Sequence, residues 1–178
     1  KGHGAAHIDA DAISRALTAP GGEALGEIRS RFGEGVIRPD GALDRAAMGE
    51  EVFRDSAARR ALEAILHPRV RRRMAEEIEA AAQRGARVAV LDVPLLFETG
   101  MDALCGETWA VSAGEEAQLS RVMARGLTES QARARIASQM SREERNARAT
   151  RVINTDRPVE ETRAELTALY QQHLARLG

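Results

Sequence analysis

The stretch RVAVLDVP, residues 87–94, decides how the rest of the chain is read. Its unbroken apolar run from Val88 to Leu91, ended by Asp92 and Pro94, predicts a strand buried on both faces, as in a parallel sheet. Three further segments read as strands. AAHIDAD (5–11) is short and apolar until it meets Asp9 and Asp11; ETWAVS (107–112) and RVIN (151–154) lie downstream. Helical spacing fills the intervals. It runs over 12–17, over 23–32 with Leu25, Ile28 and Phe32 on one face, and over most of 44–85, where His67-Pro68 predicts a break. Thr18 to Gly22 separates the first two helices, and Pro39-Asp40-Gly41 predicts a loop or tight hairpin within 33–41. Beyond the central strand, helices are predicted over 115–125, from Thr128 and from Ser141 with capping residues, and over 159–177. Strands alternating with helices predict an α/β fold with a parallel sheet flanked by helices.

The 178 residues suit one domain, or one domain with a small lobe, and 43% apolar content excludes a disordered chain. Aromatics are only 3%, so the core must be aliphatic and rich in alanine. With 26 basic and 27 acidic residues the formal charge is −1, which argues against a general nucleic-acid binder. Cys105 is the single cysteine, so no internal disulfide and no cysteine-based zinc site is expected, and a reducing cytoplasm is the expected compartment. No apolar run approaches the ~18 residues of a membrane span, and the N-terminal residues lack a signal-peptide pattern. No repeat or low-complexity tract occurs.

The basic residues are uneven in kind and place. Lys1 is the only lysine, so the other 25 are arginines. Nine of them (121, 125, 133, 135, 142, 145, 148, 151, 157) fall in the window 121–157 against four acids, Glu129, Glu143, Glu144 and Asp156. Compositional bias accounts for the general preference for arginine. The local surplus of guanidinium groups suits a polyanionic small molecule, because the planar fork binds phosphate oxygens bidentately.

Asp9 and Asp11 stand at the predicted strand end, where open α/β sheets place ligands, and strand alternation puts both on one side. Paired carboxylates there can orient a hydroxyl nucleophile, act as base or hold Mg²⁺ through water; equally, one of them can cap the next helix. Asp92 occupies the same position on its strand, like a Walker-B acid, with a turn-capping role the plain alternative. His67-Pro68-Arg69 reads on its own as a helix junction, and the remaining histidines, His3, His7 and His173, show no metal-ligand spacing. The phosphate cradle G-x-x-x-x-G-K-[ST] does not occur in the sequence.

Taken together, HIDADAISR (7–15), the 40–47 segment, ILHPRVR (65–71), VLDVPLLFETG (90–100), ARGLTESQARARIASQMSREE (124–144) and RVINTD (151–156) resemble the dephospho-CoA kinases. The resemblance runs in order over essentially the whole chain. It implies an α/β, P-loop kinase-like fold: a core over 1–32, 86–125 and 149–178, a helical acceptor-binding lobe over about 33–85, and a helical lid over about 126–148. It implies transfer of the ATP γ-phosphate to the ribose 3′-hydroxyl of dephospho-CoA, with ATP and Mg²⁺ in the site and no nucleic acid or membrane as partner. Asp11 matches the carboxylate that activates the hydroxyl, with Asp9 in support. Arg15, His67 and Arg69 match acceptor-site residues. Arg121, Arg125, Gln139 and Arg142 match lid and hinge residues that close on the phosphates, and Asn154 lies in the loop beside adenine. The family's N-terminal strand and phosphate loop have no counterpart in the sequence, so a protein of residues 1–178 alone is expected to be inactive and poorly soluble. Two other readings remain: a kinase of the same fold acting on a different small molecule such as a nucleoside monophosphate, and an Arg-rich helical module holding RNA or an acidic partner.

Overall fold

The computed structural model describes residues 4–177, which fall into two compact units that meet between Val93 and Pro94. In the first, β1 (Ala6–Asp9) leads into α1 (Ala10–Leu17), α2 (Leu25–Phe32), α3 (Arg45–Arg54), the long α4 (Ser56–Gln83) and β2 (Ala89–Asp92). The two strands pair in parallel with Ala6 opposite Ala89 and Asp9 opposite Asp92. Parallel pairing and the helical crossover are as the sequence predicts. The core is aliphatic: Ile8, Ile13, Leu17, Ile28, Ile65, Val70 and Met74 are buried, Ile28 and Met74 completely.

Three expectations fail in this unit. First, α1 starts at Ala10, so Asp11 is not a strand residue: Asp9 ends β1 and caps the helix, while Asp11 lies in its first turn. Strand alternation therefore does not relate the two carboxylates. Second, β2 is not buried on both faces, since Val90 is 44% exposed. An apolar run records what a face tolerates rather than what covers it, and α4 packs beside β1. Third, α4 runs through His67-Pro68 without a break. A proline inside a helix costs about 3 kcal/mol, but Ile65 before it and Val70 and Met74 after it are all buried. Burying side chains of that size returns about 1.5–3 kcal/mol each. Beside the proline, the Arg69 guanidinium donates to the Ile65 carbonyl at 2.7 Å. The break falls instead at Asp55, whose carboxylate accepts from the Ala57 N–H at 2.7 Å and caps α4.

The turn between α1 and α2 depends on Gly22. A Cβ there would stand 2.4 Å from the Leu17 carbonyl oxygen, a contact that only backbone movement could relieve. Pro39-Asp40-Gly41 forms the expected tight turn, closed by Arg38 and Ala42 and flanked by an antiparallel bridge from Ile37 to Leu43.

The second unit holds β3 (Trp109–Ser112), α5 (Glu115–Met123), α6 (Glu129–Ala137), α7 (Arg142–Arg148), β4 (Arg151–Asn154) and α8 (Val159–Arg176). Its strands are also parallel, with Trp109 opposite Arg151 and Ser112 opposite Asn154. Ile153 is fully buried, whereas Val111 is 64% exposed. The caps predicted at Thr128 and Ser141 are present; Thr128 and Gln131 form a reciprocal capping box. At the entrance to the strand pair, Thr108 and Thr150 exchange hydrogen bonds, each backbone N–H donating to the other's hydroxyl at 3.1 Å.

Glu107 ties this unit together at the same end. It accepts from the Trp109 indole at 3.0 Å, the Arg151 guanidinium at 3.4 Å and the Arg176 guanidinium at 2.9 Å, with His173 at 3.5 Å. The Trp109 hydrogen bond, aided by Arg151 and Arg176, holds the Glu107 carboxyl down to about 2 against an ordinary 4.5. A carboxyl with a lowered folded-state value stabilises the fold above its unfolded value, and that contribution is lost as pH falls from about 4.5 towards 2. Glu107→Ala is expected to cost about 1–3 kcal/mol at neutral pH, read by urea melts. The deficit should shrink when the melts are repeated at pH 3; an equal loss at both pH values would contradict this account.

Candidate active site

In the first unit the carboxyl ends of both strands carry acids. Asp9 and Asp92 are register partners, so their side chains leave the same face of the pair. His7, two residues before Asp9, joins them: its Nε2 lies 3.4 Å from Asp92 Oδ2. Asp9 Oδ1 accepts the Ala12 N–H at 2.9 Å, and Arg15 reaches Asp9 Oδ2 at 3.7 Å. The Ala12 hydrogen bond, with smaller help from the Asp11 N–H, Arg15 and His7, holds the Asp9 carboxyl below its ordinary value. Asp9 is thus a fixed, ionised cap.

Asp11 differs. It is exposed, and its carboxylate has no side-chain or backbone partner among the described residues. The helix cap is Asp9 and not Asp11, so the carboxylate at position 11 is left available. A cleft of about 550 Å³ opens beside these groups, lined by His7, Asp9, Ala12, Ala16, Glu23 and Arg73. Neither Asp11 nor Arg15 is part of that lining; Arg15 stands beside Asp9 through their 3.7 Å pair. His67 and Arg69 lie on α4, half-buried, and Arg69 is committed to Glu27 at 2.7 Å and to the Ile65 carbonyl. The hydrogen bonds of Arg69 are with the helical part of the unit, not with the strand-end acids.

In the second unit a hollow of about 560 Å³ lies at the carboxyl ends of β3 and β4, lined by Gly114, Glu115, Arg121, Thr155, Asp156 and Arg157. Arg121 donates to the Thr155 hydroxyl at 2.9 Å and to its carbonyl at 2.7 Å. Asp156 accepts the Gly114 N–H at 2.6 Å, and Asn154 accepts the Asp156 N–H at 2.9 Å. Arg142 reaches the Ala113 carbonyl at 3.5 Å and Glu143 at 3.3 Å. Arg125 and Gln139 are exposed, and Arg125 has no side-chain partner among the described residues.

The arginine surplus of the 121–157 window is smaller in space than in sequence. Arg133 pairs with Glu115 as well as Glu129, Arg148 with Asp102, Arg151 with Glu107 and Arg157 with Glu165. Four of those acids lie outside the window, so a count along the chain misses them. Among the described residues Arg125 and Arg135 remain without a hydrogen-bond or ion-pair partner. Sequence reasoning also passed over His7, Thr155 and Asp156. The alternation of His7-Ile8-Asp9 was a usable signal for the first; nothing local marked the other two. No group of three or more metal-ligating side chains occurs among the described residues, and no helix there is long and apolar enough to cross a membrane.

A protein of Symbiobacterium thermophilum named dephospho-CoA kinase is 47% identical over 169 residues, spanning 94% of this chain and 71% of that protein. The crystal structure of TT1252 from Thermus thermophilus superposes with a TM-score of 0.78 at 36% identity, covering 95% of this chain and 85% of the other. Dephospho-CoA kinase from Campylobacter jejuni superposes with a TM-score of 0.71 at 26% identity over the same shares. The architecture is therefore the α/β, P-loop kinase-like one. With the dephospho-CoA kinase family profile matching residues 1–161, strand-end acids and helices alike, the chain belongs to that family.

Proposed function

We propose that Asp11 receives the proton of the ribose 3′-hydroxyl as the chain's family reaction, ATP-dependent phosphorylation of dephospho-CoA to coenzyme A, takes place. The 3′-oxygen attacks the γ-phosphorus, the bond from that phosphorus to the bridging oxygen breaks, and ADP leaves. The observation that supports this role is the contrast between the two acids: Asp9 is occupied by the helix cap and Arg15, while Asp11 is exposed and unengaged. Arg15, His67 and Arg69 take the acceptor side.

A magnesium ion bound chiefly by ATP oxygens and water needs only one or two protein carboxylates. Asp92, with a largely exposed carboxylate beside Asp9, fits that requirement. When bound, the ion supplies charge neutralisation on the transferring phosphoryl group. In the second unit, Arg121, Arg125, Gln139 and Arg142 serve the phosphates, and the loop from Asn154 to Asp156 serves adenine. The reaction belongs in the cytoplasm with soluble substrates, and no nucleic acid takes part. The pairing of most lid arginines with carboxylates disfavours an RNA-holding role.

Incubation of a protein that carries the family's N-terminal strand and phosphate loop ahead of these residues with ATP and dephospho-CoA, with the product mass measured, tests the reading. A gain of one phosphate at the 3′ position is expected, and equal or faster phosphorylation of a nucleoside monophosphate would overturn the acceptor assignment. The 127–148 segment has few large apolar residues, so its amide exchange should slow when ATP and acceptor bind together. Equal exchange with and without ligands would contradict its role as a lid.

A further inference from the structure

Glu98 ends the V-P-L-L-F-E stretch and is exposed, yet it is not idle. Its Oε1 accepts the backbone N–H of Met140 at 3.1 Å. Met140 sits in the short connection between α6 and α7, outside both helices. Its carbonyl is held too, by the Arg145 guanidinium at 3.3 Å. Two successive peptide groups of the connection are therefore fixed by two charged side chains. The neighbours of Met140 along the chain are Gln139 on one side and Ser141, then Arg142, on the other.

The two helices that meet here are held very differently. Helix α7 is fastened along its length: Arg142 to the Ala113 carbonyl, Asn146 to the Ser112 hydroxyl at 3.2 Å, and Arg148 to Asp102 at 3.2 Å. Arg148 also lies over the ring of the buried Phe97, 4.8 Å from its centroid. Helix α6 packs on α5 and reaches it by the exposed pair Arg133–Glu115. Helix α7, docked on the β3 end by polar side chains, and α6, docked on α5 through the buried Ala132, join at the peptide that Glu98 grips.

We propose that Glu98 is a positioning residue for the ATP side of the reaction: by holding the Met140 N–H it fixes the connection on which α6 turns, and with it the placement of Gln139 and Arg142. This rests on the reading above that Gln139 and Arg142 meet the phosphates, and it makes α7 part of the fixed frame rather than of the moving lid. Glutamine keeps an acceptor oxygen at the same reach; alanine removes it. A hydrogen bond to a charged acceptor carries enough free energy to shift an opening equilibrium about tenfold.

The test compares Glu98→Ala with Glu98→Gln in a protein that carries the family's N-terminal phosphate loop; both are exposed-site changes that spare the core. Without ligand, the Met140 amide should exchange about tenfold faster in the alanine variant and close to the wild-type rate in the glutamine variant. KM for ATP should rise about tenfold in the alanine variant, with KM for dephospho-CoA unchanged, and glutamine should restore it. Unchanged Met140 exchange in the alanine variant overturns the proposal. So does faster exchange with an unaltered KM for ATP, or a glutamine variant as impaired as the alanine one. A wild-type protein whose amides from Gln139 to Arg142 ignore ATP would overturn the functional reading first, and the proposal with it.

Discussion

Asp11→Asn, in a protein that carries the family's N-terminal phosphate loop, is expected to lower turnover of dephospho-CoA by about 10²- to 10⁴-fold, the range for loss of a general acid–base group, while acceptor affinity changes little. Asparagine is nearly isosteric and keeps a polar group in the first turn of α1, so the helix should survive. Its cap is Asp9, which the substitution leaves in place. What is lost is the unengaged negative charge that takes the hydroxyl proton. Asp9→Asn is the informative partner, because asparagine is also a good cap; that variant should fold and lose chiefly the charge facing Arg15. Turnover and dissociation constants for both variants check the assignment. Near-normal turnover in Asp11→Asn would remove Asp11 from the chemistry.

The largest expected loss of stability is that of Met74→Ala. Met74 is completely buried on α4, the helix that packs against α1, α3 and β1. Truncating such a residue removes transfer free energy and leaves a cavity, together about 2–5 kcal/mol. Met123→Ala, at a side chain 39% exposed, is the control and should change stability by no more than about 0.5 kcal/mol. Urea melts of the two variants give the comparison. A loss under about 1 kcal/mol for Met74→Ala would mean that the unit repacks around the gap.

How much of this was legible in the sequence depends on the range over which each signal acts. The strands at 89–92, 109–112 and 151–154 were readable because apolar runs bounded by polar residues are local patterns. The caps at Thr128 and Ser141 were readable for the same reason. The passage of α4 through Pro68 was not, because the burial of Ile65, Val70 and Met74 on other elements outweighs the local penalty. At Asp9 the error was one of register. A strand that ends two residues earlier, at Asp9, turns a same-face pair of acids into a cap and a free carboxylate. The arginine window shows the limit most clearly, since Asp102, Glu107, Glu115 and Glu165 reach it only through folding. Residue by residue, the acids and arginines of the site could be named from motifs. Which of them are engaged, and by whom, could not.

The reciprocal threonine pair at the mouth of β3 and β4 bears on how this region tolerates change in length. Thr108 and Thr150 stand 42 positions apart, and α5, α6 and α7 lie wholly inside the loop they close. Once that closure is made, the sheet no longer depends on the path the chain takes between them. Closure entropy rises only logarithmically, by about 0.6 kcal/mol for each doubling of loop length. Residues added or removed near Gly126 and Leu127, between α5 and α6, should therefore alter the reach of α6 while costing the strand pair little. The length of this connection becomes a quantity that mutation can vary independently of the strand pair, which makes it the natural place to vary the reach of α6 in the proposed lid.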